Sequence, residues 1–140
     1  MIYSGMNTRR ETFHKSERVC SRKTIAALFE NGNVAYSSVF KVLWQISPSQ
    51  LPFPAEVAFS IPKKVFRLAV TRNLIRRRMR EAYRRNKQML YDYLGSENIR
   101  ISFIIMFRGS VIPDYETVER ATKEMLGDLI KVVKKHLRKC

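Results

Sequence analysis

Between Lys63 and Lys87 the chain places eleven lysines and arginines against a single acid, Glu81. Most of these cations fall at helical spacing. Arg76, Arg80, Arg84 and Lys87 recur at every third or fourth residue, with Asn73 and Arg77 on the adjoining arc. A helix here carries a nearly continuous basic stripe. Dense like charge on one face weakens a free helix, so the stripe calls for a polyanion. Arginine dominates within the helix. Its planar guanidinium can grip phosphate through two N–H groups and stack on bases, which solubility alone does not require. The chemistry on offer is phosphate binding, and nucleic acid is the leading ligand.

Lys63 and Lys64 follow the strand-ending Pro62. With Arg67 and Arg72 they extend the phosphate track, although protection of an edge strand is the plain alternative for the two lysines. Asn73 suits the start of the helix as an N-cap. Catalytic patterns are missing: there is no glycine-rich phosphate loop, no H-E-x-x-H and no G-x-S-x-G. The acids are scattered and do not suggest a two-metal nuclease. Cys20, Cys140, His14 and His136 stand at spacings poor for zinc, so two reduced thiols of a cytosolic protein are expected. Neither a catalytic residue nor a protein-held metal is expected.

The elements that must position the stripe can be read from periodicity. Residues 1–16 have no period and read as a mobile arm, leaving 17–140 as one nucleic-acid-binding domain. Ser21 is a fitting N-cap and Gly32 a fitting C′ residue for a helix with Ile25, Leu28 and Phe29 on one face. Phe40, Val42, Trp44 and Ile46 alternate with Lys41, Leu43 and Gln45, a strand pattern. Residues 47–54 hold three prolines and read as a hairpin loop to a strand bearing Val57, Phe59 and Ile61. The long helix is expected from Thr71 or Asn73 to Tyr93, closed by Gly95, with a core stripe of Ile75, Met79, Ala82, Tyr83, Leu90 and Tyr93. Glu81, four residues from Arg77 and from Arg85, would offset their repulsion. Residues 99–107 form the most apolar strand, central in the sheet. A last helix from Asp114 to Lys139 carries Val118, Ala121, Met125, Leu129, Val132, Val133 and Leu137 inward. Strand, helix, strand in that order implies a parallel pair within a mixed sheet. The 140 residues, 45% hydrophobic and +15 in net charge, suit one folded basic domain. No apolar run is long enough to span a membrane.

The order Lys63-Lys64, Ala69-Val70, Arg72-Asn73, Arg76-Arg77, Arg80-Glu81 resembles the signature of the bacterial ribonuclease P protein subunit. Leu28-Phe29-Glu30-Asn31-Gly32 looks like the end of that family's first helix. The resemblance runs from Glu17 to Arg138. Two departures stand out: Val65-Phe66-Arg67-Leu68 lacks a glycine many members carry, and Ile25 stands where many carry an aromatic.

The resemblance implies an α+β fold, a two-layer sandwich in α-β-β-β-α-β-α order, with a four-stranded mixed sheet and a left-handed crossover. The general rule for such crossovers is right-handed. It also implies a role as protein subunit of ribonuclease P, assisting a catalytic RNA that removes the 5′ leader of precursor tRNA. Mg²⁺ would act through the RNA and none would be held by the protein. The expected partners are the RNA subunit and precursor tRNA, with no membrane and no obligate protein partner, in the cytoplasm. RNA contacts fall to Lys63, Lys64, Arg67, Arg72, Asn73, Arg76, Arg77, Arg80 and Arg84. A leader cleft between the first helix and the sheet would use Ile25, Phe29, Phe40, Trp44 and Arg108, with Leu43 at a family tyrosine position. Two other readings fit the composition. One is a ribosomal or general RNA-binding protein. The other is a peripheral membrane protein acting through the basic amphipathic helix.

Overall fold

A computed structural model describes residues 13–19, 21–47 and 51–139. The expected arm lies outside the described residues as far as residue 12. Residues 13–16 are not arm-like. Phe13 packs edge-on against Phe59 and Tyr83, with centroids 6.2 and 5.8 Å away. Lys15–Glu17 form one 3₁₀ turn, and the next residues run along an edge strand, where Val19 donates its N–H to the Val57 carbonyl.

The elements are α1 (Arg22–Asn31), β1 (Asn33–Ser37), β2 (Phe40–Ile46), β3 (Ala55–Ser60), α2 (Ala69–Asn86), α3 (Gln88–Glu97), β4 (Ile101–Phe107) and α4 (Tyr115–Arg138). The strands form one mixed sheet in the order β1-β2-β4-β3. β2 runs antiparallel to both β1 and β4, and β3 is parallel to β4. The parallel pair spans α2 and α3, as such a connection requires. β2 and β3 are therefore not a hairpin. The apolar β4 pairs with both and separates them, because it is buried on both faces. β1 escapes periodicity, since only Ser37 of its five residues is buried.

Ser21 caps α1, its hydroxyl accepting from the Thr24 N–H at 3.3 Å. Gly32 ends that helix, with φ at an ordinary −66°. It is required by close approach: a Cβ there would lie 2.4 Å from the Leu28 carbonyl oxygen. The expected long helix is divided at Lys87. Asn98, with left-handed φ and ψ of 55° and 44°, closes α3 in place of Gly95 and donates to the Gly95 and Leu94 carbonyls. Asparagine is among the few side chains that tolerate this conformation. Asp114 caps α4 through the Thr117 N–H at 2.8 Å.

Two apolar clusters lie on opposite faces of the sheet. The inner face presents Phe40, Val42, Trp44, Phe103, Ile105 and Phe107 to Ile75, Met79, Ala82 and Tyr83 of α2, Leu90 and Leu94 of α3, and the stripe of α4. The outer face presents Leu43 and Ile104, covered by Leu28 of α1, with Ile25, Ala58 and Met106 around them. The large cluster supplies most of the apolar burial that stabilises the domain. The small one fastens α1.

Candidate nucleic-acid interface

α2 starts earlier than its basic stripe. Its N-cap residue is Leu68, which makes no side-chain cap bond. Asn73 is therefore not a cap. It stands in the second turn, exposed, and accepts a hydrogen bond from Arg76 Nη1 at 2.8 Å. Arg72 folds back on the preceding turn, and its Nη1 donates to the Phe66 and Arg67 carbonyls, both at 2.9 Å. It thereby holds in place the turn that presents Lys63, Lys64 and Arg67, all exposed. Arg72 is a positioning residue before it is a ligand.

Arg77 is exposed, and Arg76, Arg80 and Arg84 are half-buried. Arg84 forms a two-point pair with Glu81, Nε to Oε1 at 3.0 Å and Nη2 to Oε2 at 2.6 Å. The main partner of Glu81 is thus Arg84 at i, i+3, while the expected attraction to Arg85 persists as a weaker charge interaction. The Arg84 hydrogen bond holds the Glu81 carboxyl below its usual range, with burial opposing. Arg80 Nε is buried with no hydrogen-bond partner. Arg78, off the stripe, donates to the Pro113 carbonyl at 2.5 Å, tying α2 to the start of α4.

Lys87, expected on the basic arc, is buried. Its ammonium pairs with the buried carboxylate of Glu17, which also accepts from the Tyr91 hydroxyl. Burial lowers the Lys87 pKa, and Glu17 opposes that shift. The ion pair fastens residues 14–17 to the joint between α2 and α3, so Lys87 is taken out of solvent and out of reach of a polyanion.

Two residues expected in the leader cleft are on the wrong side of the sheet. Phe40 and Trp44 are 1% and 2% exposed and belong to the inner cluster. Trp44 meets the His136 ring of α4 edge-on at 5.3 Å. Successive residues of a strand point to opposite faces, so Leu43, one residue from Trp44, lies on the outer face instead. Of the other expected cleft residues, Ile25 packs half-buried beside Leu43, and Phe29 is 55% exposed on α1. Arg108 is exposed at the end of β4, its Nη2 donating to the Ser38 carbonyl at 3.1 Å.

Sequence reasoning missed Tyr36. Its ring, 59% exposed, has the Arg108 guanidinium 4.8 Å away and the Lys41 ammonium 5.9 Å away. Tyr36 pairs with Lys41, and Lys41 with Met106, so all three point to the outer face. The only signal was the alternation of Val34 and Tyr36, too short to mark a strand. The outer face thus holds an open aromatic ring flanked by two cations, a platform on which an unpaired base can stack beside its phosphate.

The membrane alternative fails on packing. Ile75, Met79, Ala82 and Tyr83 of α2 are all buried, so that helix has no apolar face to offer a bilayer. Among the described residues no helix is long and apolar enough to cross a membrane.

Exposed cations on a helix and its leading turn, with a half-open face carrying an exposed aromatic ring on the other side of the sheet, define a basic α+β domain of the RNA-binding class. Similarity to known proteins narrows this. Residues 13–130 match the family model described as Ribonuclease P. The ribonuclease P protein component of Porphyromonas gingivalis is 35% identical over 112 residues, covering 80% of this chain and 82% of that protein. That of Chlorobium phaeobacteroides is 36% identical over 138 residues, covering 91% and 93%. The structure of the ribonuclease P protein from Thermotoga maritima shares the fold, with a TM-score of 0.60 at 22% identity over 79% of this chain and 94% of that one. The chain belongs to the ribonuclease P protein family, and is a protein subunit of the holoenzyme that processes the 5′ end of tRNA precursors.

Proposed function

We propose that the chain docks on the catalytic RNA through Lys63, Lys64, Arg67, Asn73 and the α2 arginines, and holds the 5′ leader of precursor tRNA on the outer sheet face beside α1. The RNA hydrolyses the phosphodiester using its own Mg²⁺, and the chain supplies no nucleophile. The exposed cations lower repulsion between the two RNAs, which raises substrate affinity and lets Mg²⁺ occupy the RNA site at lower concentration. One observation carries the leader assignment: Tyr36 lies open between Lys41 and Arg108 on the sheet face that α1 only partly covers. Arg72 acts by holding the basic turn, and Phe29 and Ile25 wall the face from α1.

Reconstitution tests this. Rigorously RNA-free protein should leave precursor tRNA intact, and adding it to the cognate RNA at low Mg²⁺ should stimulate cleavage. Mg²⁺-dependent cleavage by the protein alone would overturn the reading. Changing Arg76 and Arg80 together to alanine should weaken RNA binding and flatten its salt dependence by ~0.7–0.9 in log K per log salt for each phosphate no longer neutralised. Folding should hardly change, because neither lies on the apolar stripe and Arg80 gives up a buried unpaired N–H.

A further inference from the structure

The last two turns of α4 carry a second concentration of positive charge. Lys131, Lys134, Lys135 and Arg138 are all exposed, and their spacing of i, i+3, i+4 and i+7 places them on one helix face. Among the described residues no salt bridge reaches any of them. Lys134 rests 5.5 Å over the Tyr93 ring of α3. The helix dipole accounts for cations in the final turn, Lys135 and Arg138. It does not account for Lys131 and Lys134 further in. Each of the four faces a like charge at neighbouring helical spacing, which weakens the helix by itself. The α2 stripe has the same character.

The position of this face matters as much as its charge. His136, in the same turns, packs on Trp44 near the end of β2. The basic turn before α2 lies at the other end of the sheet. There Phe66 packs on Phe107 at 5.9 Å, and Phe107 pairs with Phe40, the first residue of β2. From Phe40 to Trp44 a strand rises ~13 Å. Screening at physiological salt acts over ~8 Å, so the basic turn and the α4 face are separate concentrations of charge and not one field. α2 and α4 pack on the same inner face of the sheet, and the proposed leader face is the opposite one. An RNA held by α2 is therefore better placed to reach α4 than a strand held beside α1.

We propose that the face of α4 formed by Lys131, Lys134, Lys135 and Arg138 is a second phosphate-binding surface for the RNA subunit. The inference rests on the reading that α2 docks on that RNA.

The test uses the full chain with all four residues changed to glutamine. Affinity for the RNA subunit is measured across a salt series, beside the wild type and the Arg76→Ala, Arg80→Ala pair. The glutamine variant should bind at least ~10-fold more weakly at physiological salt, with a slope shallower by ~0.7–0.9 for each phosphate it no longer neutralises. Its melting temperature should be unchanged or higher. If the α2 pair weakens binding while the glutamine variant keeps wild-type affinity and slope, the α4 surface is refuted and α2 docking stands. If neither weakens binding, both readings fall. A loss seen only with precursor tRNA, or only with anionic lipid vesicles, also overturns the assignment and gives the face to that partner. Should the fourfold variant melt early, Lys131→Gln with Lys135→Gln carries the same test with about half the slope change.

Discussion

Phe40, Val42 and Trp44 point from β2 into the helix-covered layer, whereas Lys41, Leu43 and Gln45 of the same strand point to the face that α1 only partly covers. The first set is buried under α2 and α4. In the second, only Leu43 is buried, and Lys41 reaches toward the open Tyr36 ring. Neighbours in sequence thus serve packing and recognition in turn. An aromatic on β2 cannot be assigned to RNA by its type. Its register decides, and one residue of slip converts a core ring into a candidate base platform.

The largest effect should come from the inner face. Trp44→Ala should cost ~3–5 kcal/mol of stability, measured by denaturant unfolding. Leader affinity per folded molecule should stay at the wild-type level. A variant that unfolds normally yet loses leader binding would invert the assignment of the two faces.

Smaller effects are expected on the outer side, and of a different kind. Tyr36→Ala and Phe29→Ala should each weaken binding of long-leader precursor tRNA by ~1–3 kcal/mol, the worth of one stacked base. Mature tRNA should bind as before, and stability should move by only ~0.5 kcal/mol, as for exposed residues generally. If melting falls steeply while leader affinity holds, these rings are packing residues and the contrast between the faces disappears.

The smallest effect concerns Glu81, the acid among the cations of α2. Its carboxyl is held below the usual 4.5 by Arg84, so the pair stabilises the fold above that pH, and the contribution fades as pH falls through the lowered value. Both partners are substantially exposed, which limits the contribution to ~0.5 kcal/mol or less. Glu81→Gln should lose that small pH-dependent increment between neutral and acid pH. It should also tighten RNA binding slightly by freeing Arg84. Weaker RNA binding on this change would mean that the pair positions Arg84 and does not occupy it.

Much of the molecule was legible from periodicity alone. The apolar stripes of α2 and α4 fell where the 3.6-residue repeat puts them, and Ser21 and Asp114 cap as their types suggest. The density of cations named the ligand class, because so much like charge has little structural use. Other features were out of reach. Tyr36 lies on a strand too short and exposed to show a period. Arg72 reads as part of the phosphate track and Lys87 as a stripe cation until their partners, the carbonyls of Phe66 and Arg67 and the carboxylate of Glu17, are in view.

The sequence by itself determined the helix faces, the strand alternation and the charge, since these depend on neighbours within a few residues. Only the tertiary structure decided which side of β2 faces the helices, that β4 separates β2 from β3, and which cations remain free for RNA. Those outcomes depend on pairings between distant segments. Lys87 meets Glu17 seventy positions away, and Arg108 meets the Ser38 carbonyl at the same separation. No local period encodes such pairings, and they divide one run of arginines and lysines into those that hold the fold and those that can hold a phosphate.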